Sequence, residues 1–314
     1  MKKITISIFF ASFFYCPIAT SSSKPSSLNF TSGLGSPITT AVAEKGTKGQ
    51  LGFSERAEYY YSNGFSDLYL LQNPSAESQN VYFVNYLSTS YAVSDSWTLG
   101  ASLPYTYSSN FRSADDDTVL KLGNVSGLMD ANLFSIYEWM DQETQPISAA
   151  LLAGVNVPSG KTSSLTRQGA LFSAGDQPGS GAWSPSLGLI FSKKYDKFLL
   201  SSNFIYSRST QGSQSFTPSP LYDYNFAAVV ELNSKMNLDG ILEINGEYTG
   251  KSKTNGVKDL YSSSNSIYLV SGFRTDVKAL GSVYLGVSIP LVETFNGDTV
   301  TTRYGIIGGI DFSS

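Results

Sequence analysis

Residues 236–249 read Met-Asn-Leu-Asp-Gly-Ile-Leu-Glu-Ile-Asn-Gly-Glu-Tyr-Thr. Leu238, Gly240, Leu242, Ile244, Gly246 and Tyr248 share one face at period two. Asp239, Glu243, Asn245 and Glu247 share the other, with Ile241 the exception. That alternation specifies a strand with an apolar medium on one side. Working outward, 279–291 sets Val283, Leu285, Val287 and Ile289 against Ser282, Tyr284, Gly286 and Ser288. In 96–108, Trp97, Leu99, Ala101, Leu103, Tyr105 and Tyr107 oppose Thr98, Gly100, Ser102, Pro104 and Thr106. Alternation alone suits a soluble sheet equally well. The aromatics decide: on the apolar faces they sit at strand ends with aliphatics between, which is where half-polar rings meet lipid headgroups. Trp97, Trp139 and Phe273 mark one end; Tyr59, Tyr61, Tyr105, Tyr107, Trp183, Tyr222, Tyr224, Tyr248 and Tyr304 mark the other.

Twelve runs read as strands: 48–61, 80–93, 96–108, 124–139, 145–157, 182–194, 197–209, 221–233, 236–249, 265–275, 279–291 and 301–312. Gaps after even-numbered strands are short and gaps after odd-numbered ones are long. This alternation predicts an all-β, up-and-down antiparallel transmembrane barrel of about 12 strands, with short periplasmic turns and long outer loops. Tyr304, Ile306, Gly308, Ile310 and Phe312 alternate in the last run, as in the C-terminal signal read by the barrel assembly machinery, followed here by Ser313-Ser314.

Lys2-Lys3 followed by apolar Ile4–Phe14 and the small residues Ala19-Thr20-Ser21 read as an N-terminal signal peptide, 1–21. Residues 22–47 then form a periplasmic or lumenal segment, either a plug or a tail, and 48–314 the barrel. The expected location is the outer membrane of a Gram-negative bacterium, among lipid and lipopolysaccharide. The chain has 314 residues and no histidine, and its one cysteine, Cys16, lies in the signal peptide. Histidine-dependent catalysis, thiolate chemistry and disulfides are therefore excluded from the mature chain. A pI near 5.0 argues against nucleic acid.

Several local motifs follow one another along the chain: Gly35-Ser36-Pro37-Ile38-Thr39-Thr40, Lys45-Gly46-Thr47-Lys48-Gly49, Ser126-Gly127-Leu128-Met129-Asp130, Gly154-Val155-Asn156-Val157-Pro158-Ser159-Gly160, Gln177-Pro178-Gly179-Ser180-Gly181-Ala182-Trp183 and Glu243-Ile244-Asn245-Gly246-Glu247-Tyr248. Their order resembles the outer-membrane channel-like proteins named after the meta-pathway of phenol degradation, distant relatives of fatty-acid and hydrocarbon channels. Departures include Met129 where that family prefers Gly, and Ser159 where Thr is common. The resemblance implies passage of small, often hydrophobic or aromatic, solutes through a barrel; with no histidine in the chain, neither enzymatic activity nor a cofactor is expected. A structural or adhesive barrel is the alternative.

No metal site or catalytic constellation stands out. Gly160-Lys161-Thr162 lacks the upstream Gly of a phosphate-binding loop, Val155 standing in its place. Asp115-Asp116-Asp117 reads as a solvated outer-loop run. The notable set is the charges expected on inward faces: Arg56, Glu58, Asp130, Glu138, Glu231, Asp239, Glu243, Glu247, Arg274 and Arg303, with Arg208 and Asp311. They are expected either to line a selective bore or to form an ion-pair network filling it. Asp239 and Arg274 are expected to lie at the same end of neighbouring strands.

Overall fold

A computed structural model describes residues 37–43, 46–73, 76–115, 117–277 and 281–313. The proposed signal peptide, and residues 22–36 of the segment after it, lie outside the described residues. The strands alternate side chains as the sequence predicts and close into a twelve-stranded antiparallel barrel. The strands are β1 (Leu51–Ser62), β2 (Val81–Ser94), β3 (Trp97–Asp115), β4 in two parts (Thr118–Leu128 and Ala131–Met140), β5 (Ser148–Val157), β6 (Ser184–Lys194), β7 (Phe198–Ser207), β8 (Leu221–Asn233), β9 (Leu238–Thr249), β10 (Ser264–Val277), β11 (Gly281–Phe295) and β12 (Thr302–Ser313). Closure comes from β1 pairing β12, Phe53 opposite Phe312 and Tyr61 opposite Tyr304. Among the described residues no helix is long and apolar enough to cross a membrane; strands do the crossing, since only a closed ladder satisfies every backbone polar group in lipid.

The outward face is an apolar band: Leu187 is 61% exposed and Leu285 60%. At the long-loop rim Tyr206, Tyr222 and Tyr248 form a row with centroids 4.8 and 5.8 Å apart, and Tyr61 lies 5.6 Å from Tyr304. Exposed Trp97, Trp139, Phe273 and Phe312 edge the opposite rim. These are the two girdles expected at headgroup depth.

Two features depart from the expected spans. The region 109–123 is not a loop. β3 runs on to Asp115 and pairs with the upper part of β4 from Thr118, so a hairpin rises above the rest of the barrel. β4 is also broken at Met129-Asp130. Its lower part pairs β3 through Asn132 opposite Ser102 and β5 through Asn132 opposite Asn156, while its upper part has, among the described residues, no strand on its far edge. The loop 158–181 supplies that edge: Lys161 N donates to Leu128 O (2.9 Å) and Arg167 N to Leu122 O (2.8 Å). The Lys161 fragment is thus wall-filling loop with no helix after it. Between Ser62 and Val81 a short helix, α1 (Asp67–Gln72), is capped by the Ser66 hydroxyl, which accepts from Tyr69 N (3.2 Å). Phe216–Thr217, Lys253–Thr254 and Val257–Lys258 form a small sheet that ties two outer loops together.

Candidate functional site: a filled lumen and a chamber at the outer loops

Residues 37–43 cross the inside of the barrel. Their path is set by side chains that the alternation points inward. The Glu243 carboxylate accepts from the backbone N–H groups of Ile38, Thr39 and Thr40 and from the Thr39 and Thr40 hydroxyls. Arg274 Nη2 donates to Pro37 O (3.0 Å) and Arg56 Nη1 to Ile38 O (3.2 Å). Further along, Ala41 N donates to Asn203 Oδ1 (3.2 Å), Ser201 Oγ to Ala41 O (2.7 Å) and Ala43 N to Ser192 Oγ (2.8 Å). Arg274 and Ser192 stand near the short-turn ends of β10 and β6, and Glu243 stands mid-strand. The segment therefore rises from the short-turn side, peaks at Thr39-Thr40 and descends across the bore. A backbone with no ladder of its own must find such partners when buried.

Apolar inward side chains surround it. Ile38 and Val42 pack with Leu199, Val229, Ile241, Val270, Tyr284 and Ile307. Ala41 and Ala43 pack with Phe134, Ile136, Ala150, Leu152, Ile190 and Ile205. Gly286 leaves the space Ile38 occupies: a Cβ there would lie 2.6 Å from Ile38 Cδ1. The lower lumen is thus a packed core whose centre is this segment.

The predicted inward charges divide. Arg56, Glu58, Glu138, Glu243 and Arg274 are buried. Arg56 Nε lies 2.9 Å from Glu58 Oε1, and its guanidinium covers the Tyr86 ring at 5.0 Å. Asp239 does stand opposite Arg274 in register, yet the partner Arg274 takes is Asp311, at 2.6 Å, across β11. Asp239, Glu231 and Glu247 are half-buried. Arg303 is exposed instead of inward. The β1–β12 register shifts between Tyr61 and Ser62, and Thr302 takes the buried position. Arg208 is exposed just past the end of β7. Glu243, expected either to line the bore or to join an ion-pair network, is bonded to residues 38–40.

Asp130 has a separate task. Its carboxylate accepts from Gly160 N (2.9 Å), Ser180 N (2.8 Å) and the Ser180 hydroxyl, so it latches both ends of the loop 158–181 at the break in β4. Gly160 and Gly179 touch there; a Cβ on Gly160 would meet Gly179 Cα at 2.6 Å. The loop packs Phe172 against Phe111, centroids 5.1 Å apart, and Val125. Its Asp176 meets Glu77 from the β1–β2 loop, and burial together with that second carboxylate pushes the Glu77 carboxyl up to about 8.

Against this loop, lined in part by its residues between Ala174 and Ser180 and in part by inward residues of the strands, lies a chamber of about 360 Å³. Tyr82, Tyr86, Met129 and Phe216 give it apolar surface; Asn132, Asn156 and several serines give it a polar side. The sequence reading missed the inward apolar set. Ile241, the exception to alternation in β9, was its visible signal.

No family model matches the chain, and no curated protein matches it. Among solved structures, the COG4313 outer membrane channel from Pseudomonas putida F1 superposes with TM-score 0.62 at 14% identity, covering 86% of this chain and 98% of that one. The P. putida toluene transporter TodX (TM-score 0.46, 10% identity, 86% and 90% covered) and the NanC porin (0.45, 9%, 83% and 98%) align more loosely. The first of these likenesses shows a shared outer-membrane barrel fold.

Proposed function

We propose that this chain is an outer-membrane channel for small uncharged solutes, apolar or aromatic in part, whose periplasmic exit is closed by residues 37–43. The observation that carries the reading is the Glu243 carboxylate gathering the backbone of Ile38, Thr39 and Thr40 inside a barrel that also holds a solute-sized chamber at its long-loop end. A passage requires those bonds to break, so the segment acts as the gate. Tyr82, Tyr86, Met129 and Phe216 offer apolar contact to a solute held in that chamber. In this reading lipopolysaccharide surrounds the tyrosine girdle, and the assembly machinery reads the Tyr304–Phe312 alternation.

Proteoliposome swelling tests the reading. Vesicles carrying the unaltered barrel should swell slowly in small neutral solutes, and vesicles carrying Glu243→Ala should swell several-fold faster. Equal, slow swelling in both would favour the structural barrel, which the packed lower lumen also suits.

A further inference from the structure

The polar side of the chamber has a defined edge. Asn132 and Asn156 face each other across β4 and β5, and Asn132 Nδ2 donates to Asn156 Oδ1 at 2.6 Å. Asn132 is 6% exposed, and its Oδ1 has no hydrogen-bond partner among the described residues. Both residues line the chamber. A buried amide oxygen without a donor is costly, by roughly 1–3 kcal/mol, and its neighbour, having used its oxygen in the pair, is left to offer N–H. Exchanging O and N in both amides preserves the result: the pair still presents one acceptor and one donor side by side.

We propose that this edge is a recognition site for an uncharged molecule carrying an N–H donor and a C=O acceptor on the same side of one amide, that is, a primary carboxamide or a lactam. The ligand N–H meets Asn132 Oδ1 and the ligand C=O meets the Asn156 amide. The body of the ligand lies against Pro104, Met129 and Tyr82, which border the same cavity. A dry hole of about 150 Å³ accommodates benzene, so the chamber holds a ring and its amide. Charge is disfavoured. Among the described residues, Asp130 is the one Asp, Glu, Lys or Arg in the lining, and its oxygens are occupied by Gly160 and Ser180. An ionised ligand would thus give up hydration without a counter-charge.

The inference rests on the chamber being the solute compartment of the proposed channel, but equilibrium binding does not depend on passage. The test is equilibrium dialysis of the folded full chain in detergent against benzamide, N,N-dimethylbenzamide, toluene and benzoate. Two net hydrogen bonds correspond to about a thirtyfold preference. Benzamide should bind about thirtyfold tighter than toluene, and clearly tighter than the dimethyl amide and benzoate. The near-isosteric Asn132→Leu/Asn156→Leu pair should bring benzamide and toluene together, with single Asn156→Leu as a milder companion if the double variant fails to fold. Equal binding of benzamide and toluene to the unaltered chain, no binding of any of the four, or a preference that survives in the folded double variant would overturn the inference. None of these results bears on whether the segment 37–43 gates the barrel.

Discussion

Glu243→Gln changes one oxygen to an NH₂ at the point where the crossing segment is held. Thr39 N is shared between both carboxylate oxygens at 3.2 Å, so it keeps Oε1, as does Ile38 N. The Thr39 and Thr40 hydroxyls can turn and accept instead of donate. Thr40 N, which lies 3.2 Å from Oε2, loses its acceptor outright. Bonds to a charged group are worth about 1.5–3 kcal/mol against about 1 for neutral ones. One lost bond and two weakened ones together cost about 3 kcal/mol. At 1.4 kcal/mol per tenfold, the displaced state becomes roughly a hundredfold more populated. The expected mature chain carries no cysteine, so Ala41→Cys provides a unique probe at a position only 3% exposed. When opening is fast relative to chemistry, thiol modification tracks the open population. Modification of the Ala41→Cys thiol by a small water-soluble thiosulfonate should therefore accelerate by about two orders of magnitude in Glu243→Gln. A change of less than about threefold, with the barrel still folded, would refute the role assigned to the carboxylate.

Asp130→Ala removes three acceptor contacts from the ends of the loop 158–181, so trypsin should cut at Arg167 at least about tenfold faster (about 1.4 kcal/mol per tenfold) while the strands resist; unchanged cleavage would remove the latch from the account. The Glu77–Asp176 contact favours the protonated carboxyl. Its stabilisation is complete below the unfolded pKa near 4.5 and is lost as pH rises through about 8; hydrogen exchange of residues 173–177 should speed up between pH 6 and 9 beyond the intrinsic rate, and Glu77→Gln should flatten that excess. Gly286→Ala places a methyl group 2.6 Å from Ile38 Cδ1; it should raise solute swelling rates, and Ile38→Ala in the same chain should reverse the effect by clearing the clash.

The barrel was legible because its determinants are local. Period-two patterning, turn lengths and aromatic ends each act over a few residues, and β9 alone shows the first and last of them. The hairpin beyond Ser108 was not legible. Residues 109–115 are mostly small or polar, and they become strand because Thr118–Leu128 folds back onto them. Arg303 was misplaced because it is itself the extra residue of a bulge in β12, opposite the Tyr61–Ser62 step, and no composition marks a bulge. The site was half legible. Glu243, Asp130 and the glycine-flanked loop stood out as residues, and the motifs containing them meet in space as the latch and the segment's anchor. Their partners did not, because Ile38 and Glu243 are separated by 205 positions. Inward apolar residues such as Leu152 and Ile190 were hidden for a different reason: each stands alone on an inward face that is otherwise small or polar, Ser148, Ala150, Gly154 and Asn156 in β5 and Ser184, Ser186, Gly188 and Ser192 in β6, and single exceptions do not reveal that they meet in one core.

Single-channel recording in planar bilayers tests the central claim most directly, comparing the unaltered mature chain with one in which Ile38–Ala43 are replaced by glycine and serine. The account predicts a quiet or rarely opening unaltered barrel and stable conductance steps once the segment no longer fits its pocket. Full, steady conductance from the unaltered chain, unchanged by the replacement, would contradict it.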